Sequence, residues 1–85
     1  MKHYASPRFW QCYERLPEDI RVLADEGFAT LKTNPRHPGL RFKKLRQDVW
    51  SARVGLHYRA LAREWKDGLL WFWIGHHSEY DKLLS

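Results

Sequence analysis

Four side chains with chemistry to offer, Arg53, His57, Tyr58 and Arg59, fall within the stretch Trp50 to Arg59, WSARVGLHYR. The stretch reads as a strand, a tight turn at Gly55 and the start of a second strand. Arg53 and Arg59 flank that turn, so both can project over one open sheet face. Paired guanidinium groups grip a phosphate through two parallel hydrogen bonds and stay charged at any relevant pH. The bland alternative is cross-strand ion pairing with Glu64 or Asp48, but acids are scarce in this part of the chain.

A second group follows Gly75 at the end of an apolar run: His76 and His77, with Tyr80 three positions on. Imidazole titrates near neutrality and is the side chain best suited to move protons there. Taken alone, the pair reads as structural histidines closing a strand; beside an arginine-rich sheet, it becomes a candidate for proton transfer. As metal ligands the two would need Glu79 or Asp81 at no recognised spacing, so no metal is assigned. Lys43, Lys44 and Arg46 form a third group on a short basic strand. Strict alternation would send Lys44 and Arg46 to one face and Lys43 to the other, as a phosphate track or a solvated edge. His3 and His37 have no such setting, and Cys12 reads as packing.

Charge placement supports an anionic partner. The net charge is +5. Residues 1 to 35 hold the acids Glu14, Glu18, Asp19, Asp25 and Glu26, whereas residues 36 to 63 carry eight cations against Asp48 alone. So one-sided a block attracts nucleic acid or an acidic protein at long range. Hydrophobic residues make up 44 % and charged residues 29 %, the proportions of an ordinary folded protein. Eighty-five residues suffice for one domain, 1–85, with one modest core. A single cysteine excludes an internal disulfide and a thiolate-rich zinc site, and fits a reducing, cytoplasmic setting. No apolar run is long enough to span a bilayer, so no membrane partner is expected.

The positioning elements follow from local signals. Ser6-Pro7 opens a helix, with Ser6 accepting from orphan amides and Pro7 where a missing N–H costs nothing. Phe9, Tyr13 and Leu16 give it an apolar side, and Leu16-Pro17 ends it. Pro17, Glu18 and Asp19 start a second helix whose expected buried stripe is Ile20, Leu23, Ala24, Gly27 and Leu31, stopped by Asn34-Pro35. Past a loop with two prolines, short runs at Leu40–Leu45, Val49–Val54, Tyr58–Arg63 and Leu69–Ile74 predict an antiparallel meander. Gln47-Asp48 and Asp67-Gly68 supply its turns, the latter as a two-residue hairpin signal. The expectation is an α+β fold: an N-terminal helical hairpin on one face of an antiparallel four-stranded sheet, five-stranded if Lys2 to Ala5 adds an edge, with cations on the other face. His77 to Leu84 is a short tail, helical or coiled.

The order helical hairpin, basic strand, WSARVGLHYRAL, hairpin, aromatic strand and IGHHSEYDKLL resembles the RelE/ParE superfamily of toxins from bacterial toxin–antitoxin pairs. The most specific pieces are Arg53-Val54-Gly55 with Tyr58-Arg59, and Ile74-Gly75-His76 through Tyr80. The resemblance implies a cognate antitoxin that wraps and neutralises the toxin, with operator DNA met only through that antitoxin. It further implies, for the RelE-like branch, cleavage of messenger RNA on the ribosome without metal or other cofactor, the ribose 2′-hydroxyl attacking its own phosphate. The ParE-like branch instead inhibits DNA gyrase, and a third alternative is a catalytically lapsed antitoxin-binding module. By the same resemblance Arg59 matches the arginine that holds the scissile phosphate, Tyr80 the C-terminal tyrosine, and His76 or His77 a catalytic histidine or basic position. Lys43, Lys44, Arg46 and Arg53 are left as RNA or phosphate contacts, and the spaced Lys-x-Lys of RelE is not reproduced.

Overall fold

The computed structural model describes residues 1–84. The chain opens with strand β1 (Lys2–Ala5), then forms helices α1 (Pro7–Glu14) and α2 (Glu18–Thr33), and a single 3-10 turn at Pro38–Leu40. Strands β2 (Lys43–Arg46), β3 (Val49–Val54), β4 (Tyr58–Trp65) and β5 (Gly68–His76) follow, and helix α3 (His77–Leu84) comes last. Ser6 Oγ accepts from the Phe9 amide at 3.2 Å, with Pro7 in the first helical position, as its sequence position predicts. Glu18 and Asp19 occupy the first turn of α2, at the positive end of its dipole.

The sheet has five strands in the order β1-β5-β4-β3-β2. The four strands β2 to β5 form the expected antiparallel meander, while β1 joins β5 in parallel, so the sheet is mixed. β1 can lie there because Gly68 has no side chain: a β-carbon at that position would stand 2.6 Å from the carbonyl carbon of Lys2. This is also why Asp67-Gly68 is not the turn. Trp65 pairs with Gly68, the turn residues are Lys66 and Asp67, and Lys66 takes the positive φ of 52°.

Helices α1 and α2 cover one face. Leu16, Leu31, Leu40, Ala52, Val54, Ala60, Ala62, Leu69, Trp71 and Ile74 make the core there, each large side chain contributing about 1.5–3 kcal/mol by leaving water. Of the stripe expected on α2, Leu31 is buried and Ile20, Ala24 and Gly27 are partly so, but Leu23 is 41 % exposed. It leans over the β3–β4 turn instead, where a β-carbon on Gly55 would meet its Cδ1 at 3.1 Å.

Two bulges decide what the other face carries. In β5 the register slips at Leu61/Ala62, leaving Phe72 as the extra residue. Trp71 therefore enters the helix-side core, while Trp73 pairs with Leu61 on the opposite face. In β2 the register slips between Lys44 and Arg46, so Leu45 is the extra residue there. Helix α3 lies against β5 and β4. Among the described residues no helix is long and apolar enough to cross a membrane.

Candidate phosphate-binding site on the open sheet face

Arg53 and Arg59 are direct cross-strand partners at the end of the β3–β4 hairpin. Their strand neighbours Ala52, Val54 and Ala60 pack into the helix-side core, so alternation turns both guanidinium groups to the other face. Like charges opposite one another destabilise a sheet, and no carboxylate offsets them: among the described residues neither arginine has an acidic partner. Arg53 is anchored by its Nε, which donates to the Gly55 carbonyl at 2.9 Å. Arg59 lies with its guanidinium carbon 5.2 Å from the centre of the Tyr80 ring, delivered by α3. Its Nη1 is buried with no hydrogen-bond partner. Gly75, the residue facing Arg59 on β5, has no side chain to compete with the Trp73 indole on this face. Ser51, two positions before Arg53 on the same face, is fully buried, and its Oγ also lacks a partner. An ionised donor left unpaired away from water costs free energy that an incoming anion would recover.

The histidines gather at the same end of the sheet but flank it differently. His76 pairs with Tyr58, a residue packed against the helix-side core, so its ring belongs to the side opposite Arg59. Its edge contact with Tyr58 is 5.3 Å between centres. Its Nδ1 accepts from the Ser78 amide at 3.1 Å and lies 3.0 Å from the Ser78 hydroxyl, which fixes the first turn of α3. His77 stacks on His76 at 4.5 Å and stands three positions before Tyr80, hence on the same side of α3. His57, in the β3–β4 turn, completes a trio at 6.1 Å from His76 and 5.9 Å from His77. Reading along the chain left His57 without a role, although the hairpin register that sets Tyr58 opposite His76 brings the two imidazoles together. Among the described residues no group of three or more His, Cys, Asp or Glu side chains is placed to hold a metal ion.

The bulge in β2 rearranges the third basic group. Lys43 pairs with Ser51 and Arg46 with Val49, so these two share the Arg53–Arg59 face. Lys44, opposite Trp50, points to the helix side and ion-pairs with Glu64 at 3.2 Å. The alternation expected from sequence, Lys44 with Arg46, fails because one unpaired residue reverses the parity of everything after it. Glu64 also accepts from Trp50 Nε1 at 2.8 Å, and this bond together with Lys44 holds its carboxyl below the ordinary range.

The remaining titratable candidates are structural. His37 Nδ1 accepts from the Gly39 amide within the 3-10 turn. His3 Nδ1 accepts from Trp71 Nε1 at 3.1 Å, and burial pushes its pKa down, with the N-terminal charge and Lys32 adding to the effect. Cys12 packs against the core from α1.

Comparisons with known proteins bear on the family and the fold. Residues 18–82 match the model of the ParE-like toxin domain. Among solved structures, the fold is similar to a chain of the RelB-RelE antitoxin-toxin complex from Methanococcus jannaschii, with 16 % identity and a TM-score of 0.71 over 96 % of this chain and 99 % of that one. It is also similar to a YoeB/ParE toxin from Agrobacterium tumefaciens, with 19 % identity and a TM-score of 0.69 over 91 % and 99 %. A chain of the toxin-antitoxin complex RelBE2 from Mycobacterium tuberculosis has 24 % identity and a TM-score of 0.67 over 87 % and 94 %. The sequence finds no match among curated proteins.

Proposed function

The chain belongs to the ParE-like toxin family, a toxin of the RelE/ParE toxin–antitoxin superfamily, and from that premise we propose that it inhibits translation by cutting ribosome-bound messenger RNA. The observation that carries the reading is Arg59: a guanidinium held over the Tyr80 ring, buried at Nη1 without a hydrogen-bond partner, and set against a second arginine with no acid among the described residues to neutralise either. Such a pair is a seat for a phosphate.

In the reaction proposed, the ribose 2′-oxygen attacks the adjacent phosphorus and the P–O5′ bond breaks. The products are a 2′,3′-cyclic phosphate and a free 5′-hydroxyl. The attacking hydroxyl gives up a proton and the leaving oxygen takes one. Arg59 and Arg53 stabilise the charge that builds on the phosphorane. Tyr80 positions Arg59 and presents a hydroxyl to the reacting oxygens. Of the two adjacent histidines, His77 shares the Tyr80 side of α3 and is the better placed proton carrier; His76, bonded to Ser78 in the first turn of α3, positions the helix. Outside the part that α3 covers the face is exposed, so the ribosome supplies the alignment that the protein alone lacks.

A cognate antitoxin is the expected partner. A cleft of about 340 Å³ between the helical hairpin and the sheet, walled by Phe9, Trp10, Tyr13, Phe28 and Trp71, supports docking of an apolar antitoxin segment there.

The test is primer extension on messenger RNA programmed into purified ribosomes. Arg59→Ala and Tyr80→Phe should each remove the cleavage products while antitoxin binding persists, and full-rate cutting by both variants overturns the assignment. One observation favours a second reading: His76 faces away from Arg59, as a toxin that only blocks DNA gyrase would permit. Inhibition of gyrase supercoiling by the purified protein, with ribosome-bound message left intact, would select that reading.

A further inference from the structure

Three cations along β4 and the turn after it lie over aromatic rings, so the arrangement continues well past Arg59. Along β4, Arg59 lies over Tyr80, the guanidinium carbon of Arg63 lies 5.4 Å from the Phe72 ring centre, and Lys66 in the following turn lies 4.2 Å from the Trp65 ring centre. Arg59, Arg63 and Trp65 have the same parity on one strand, and Arg63 pairs with Val49, which shares the Arg46 face. A fourth such pair, Lys32 over Phe28, sits apart on α2. A ring fixes a cation in place without neutralising it, unlike the carboxylate of an ion pair. The contrast within the molecule is direct: Lys44 is neutralised by Glu64 on the helix side, and Lys2 by Asp67 at the β1 corner. The other carboxylates near this face, Asp48 in the β2–β3 turn and Glu79 and Asp81 on α3, are all exposed to solvent.

Between Arg63 and the α3 end, a cleft of about 170 Å³ opens on the same face, lined by Phe72, Trp73, Leu83, Arg46 and Arg8. From Arg59 to Trp65 the strand runs about 20 Å. Alternating flat rings and unneutralised cations over that length is the chemistry of single-strand recognition: bases stack on rings and guanidinium planes, and the charges follow the backbone.

We infer that the open sheet face is an RNA track extending from the Arg59 seat to Trp65, in which Phe72 and Trp65 stack bases and Arg63 and Lys66 contact phosphates flanking the scissile one. The inference rests on the reading of the Arg59 seat as an RNA site, and assigns that site a few further nucleotides of unpaired strand.

The probe is a fluorescein-labelled 2′-O-methyl uridine octamer, which cannot undergo 2′-hydroxyl attack, titrated by anisotropy against the full chain. Trp65→Ala should weaken binding about five-fold or more, the lower bound for loss of one stacking platform. Arg63→Gln should weaken it and reduce the slope of log affinity against log salt by about 0.7. Lys32→Gln, on α2 at the other side of the sheet, should bind as wild type. Thermal melting of each variant separates loss of contact from loss of fold, and Arg63→Gln on the exposed strand keeps the test open should Trp65→Ala unfold. The track is overturned if both variants bind the octamer as tightly as wild type, or if polyglutamate of equal length displaces it equally from wild type and Trp65→Ala. It is also overturned if the deoxyribo-octamer binds more tightly than the RNA analogue. Loss of binding in Arg59→Ala alone rejects the track and keeps the seat. Weakened binding in Trp65→Ala and Arg63→Gln, with no message cut on ribosomes, supports the track and rejects the nuclease.

Discussion

Gly75→Ala is a small substitution whose sign discriminates between two effects. Gly75 sits in β5 with an ordinary backbone conformation, and replacing a strand glycine by alanine should then stabilise by about 0.5–1 kcal/mol through the unfolded chain alone. Against this, the new β-carbon would stand 2.6 Å from Cζ2 of Trp73 and 3.1 Å from its Cη2. Ordinary contact begins near 3.4 Å, so one of the two groups must retreat by most of an ångström. The indole cannot, because Trp73 is 4 % exposed and packed on the face it shares with Leu61, itself 2 % exposed. Overpacking of this kind costs about 1–3 kcal/mol, enough to outweigh the entropic gain. For a domain of this length that lowers the melting temperature by about 4–8 °C per kcal/mol. Calorimetric melting of Gly75→Ala should therefore show a drop, and Trp73→Phe, which removes the clashing edge of the ring, should relieve it. In the double variant the two changes should couple favourably by about 0.5 kcal/mol or more. A melting temperature equal to or above wild type for Gly75→Ala would refute the reasoning.

Other outcomes follow from the same geometry. Gly68→Ala should cost about 3 kcal/mol, because its β-carbon collides with the Lys2 backbone and parts β1 from β5; urea unfolding followed by tryptophan fluorescence measures it. His3 has its pKa depressed by burial, so the folded protein is fully stable above the ordinary imidazole value of about 6.5 and loses stability as pH falls below it, when the unfolded chain takes up the proton first. His3→Gln should flatten that slope in melts between pH 7.5 and 5. Tyr80→Phe keeps the ring beneath Arg59 and should melt within about 2 °C of wild type, whereas Tyr80→Ala should free α3 and raise amide exchange across residues 77–83.

Much of this architecture is legible in the chain because its signals are local. Ser6-Pro7, Pro17 with two acids and Asn34-Pro35 act within one helical turn, and the α1 and α2 boundaries fall within two residues of where they predict, α1 ending at Glu14 and not at Leu16. The pairing of Arg53 with Arg59 follows from one short turn. What the sequence conceals depends on single unpaired residues. Leu45 and Phe72 each reverse strand parity, moving Arg46 away from Lys44 and Trp73 away from Trp71, and no residue type marks either bulge. Gly68 looks like half of a hairpin turn, yet its lack of a side chain serves a strand more than sixty positions away. The imidazole trio is hidden similarly, since His57 meets His76 and His77 only through the register of β4 with β5.

That distant strand bears on when the molecule becomes itself. Strand β1 is among the last elements to find its place, since the His3–Trp71 hydrogen bond spans 68 positions and contacts of such separation close slowly. Until β5 has been synthesised β1 has no neighbour, and Tyr80 emerges later still. The contact of Arg59 with the Tyr80 ring therefore closes only after all five strands have been made.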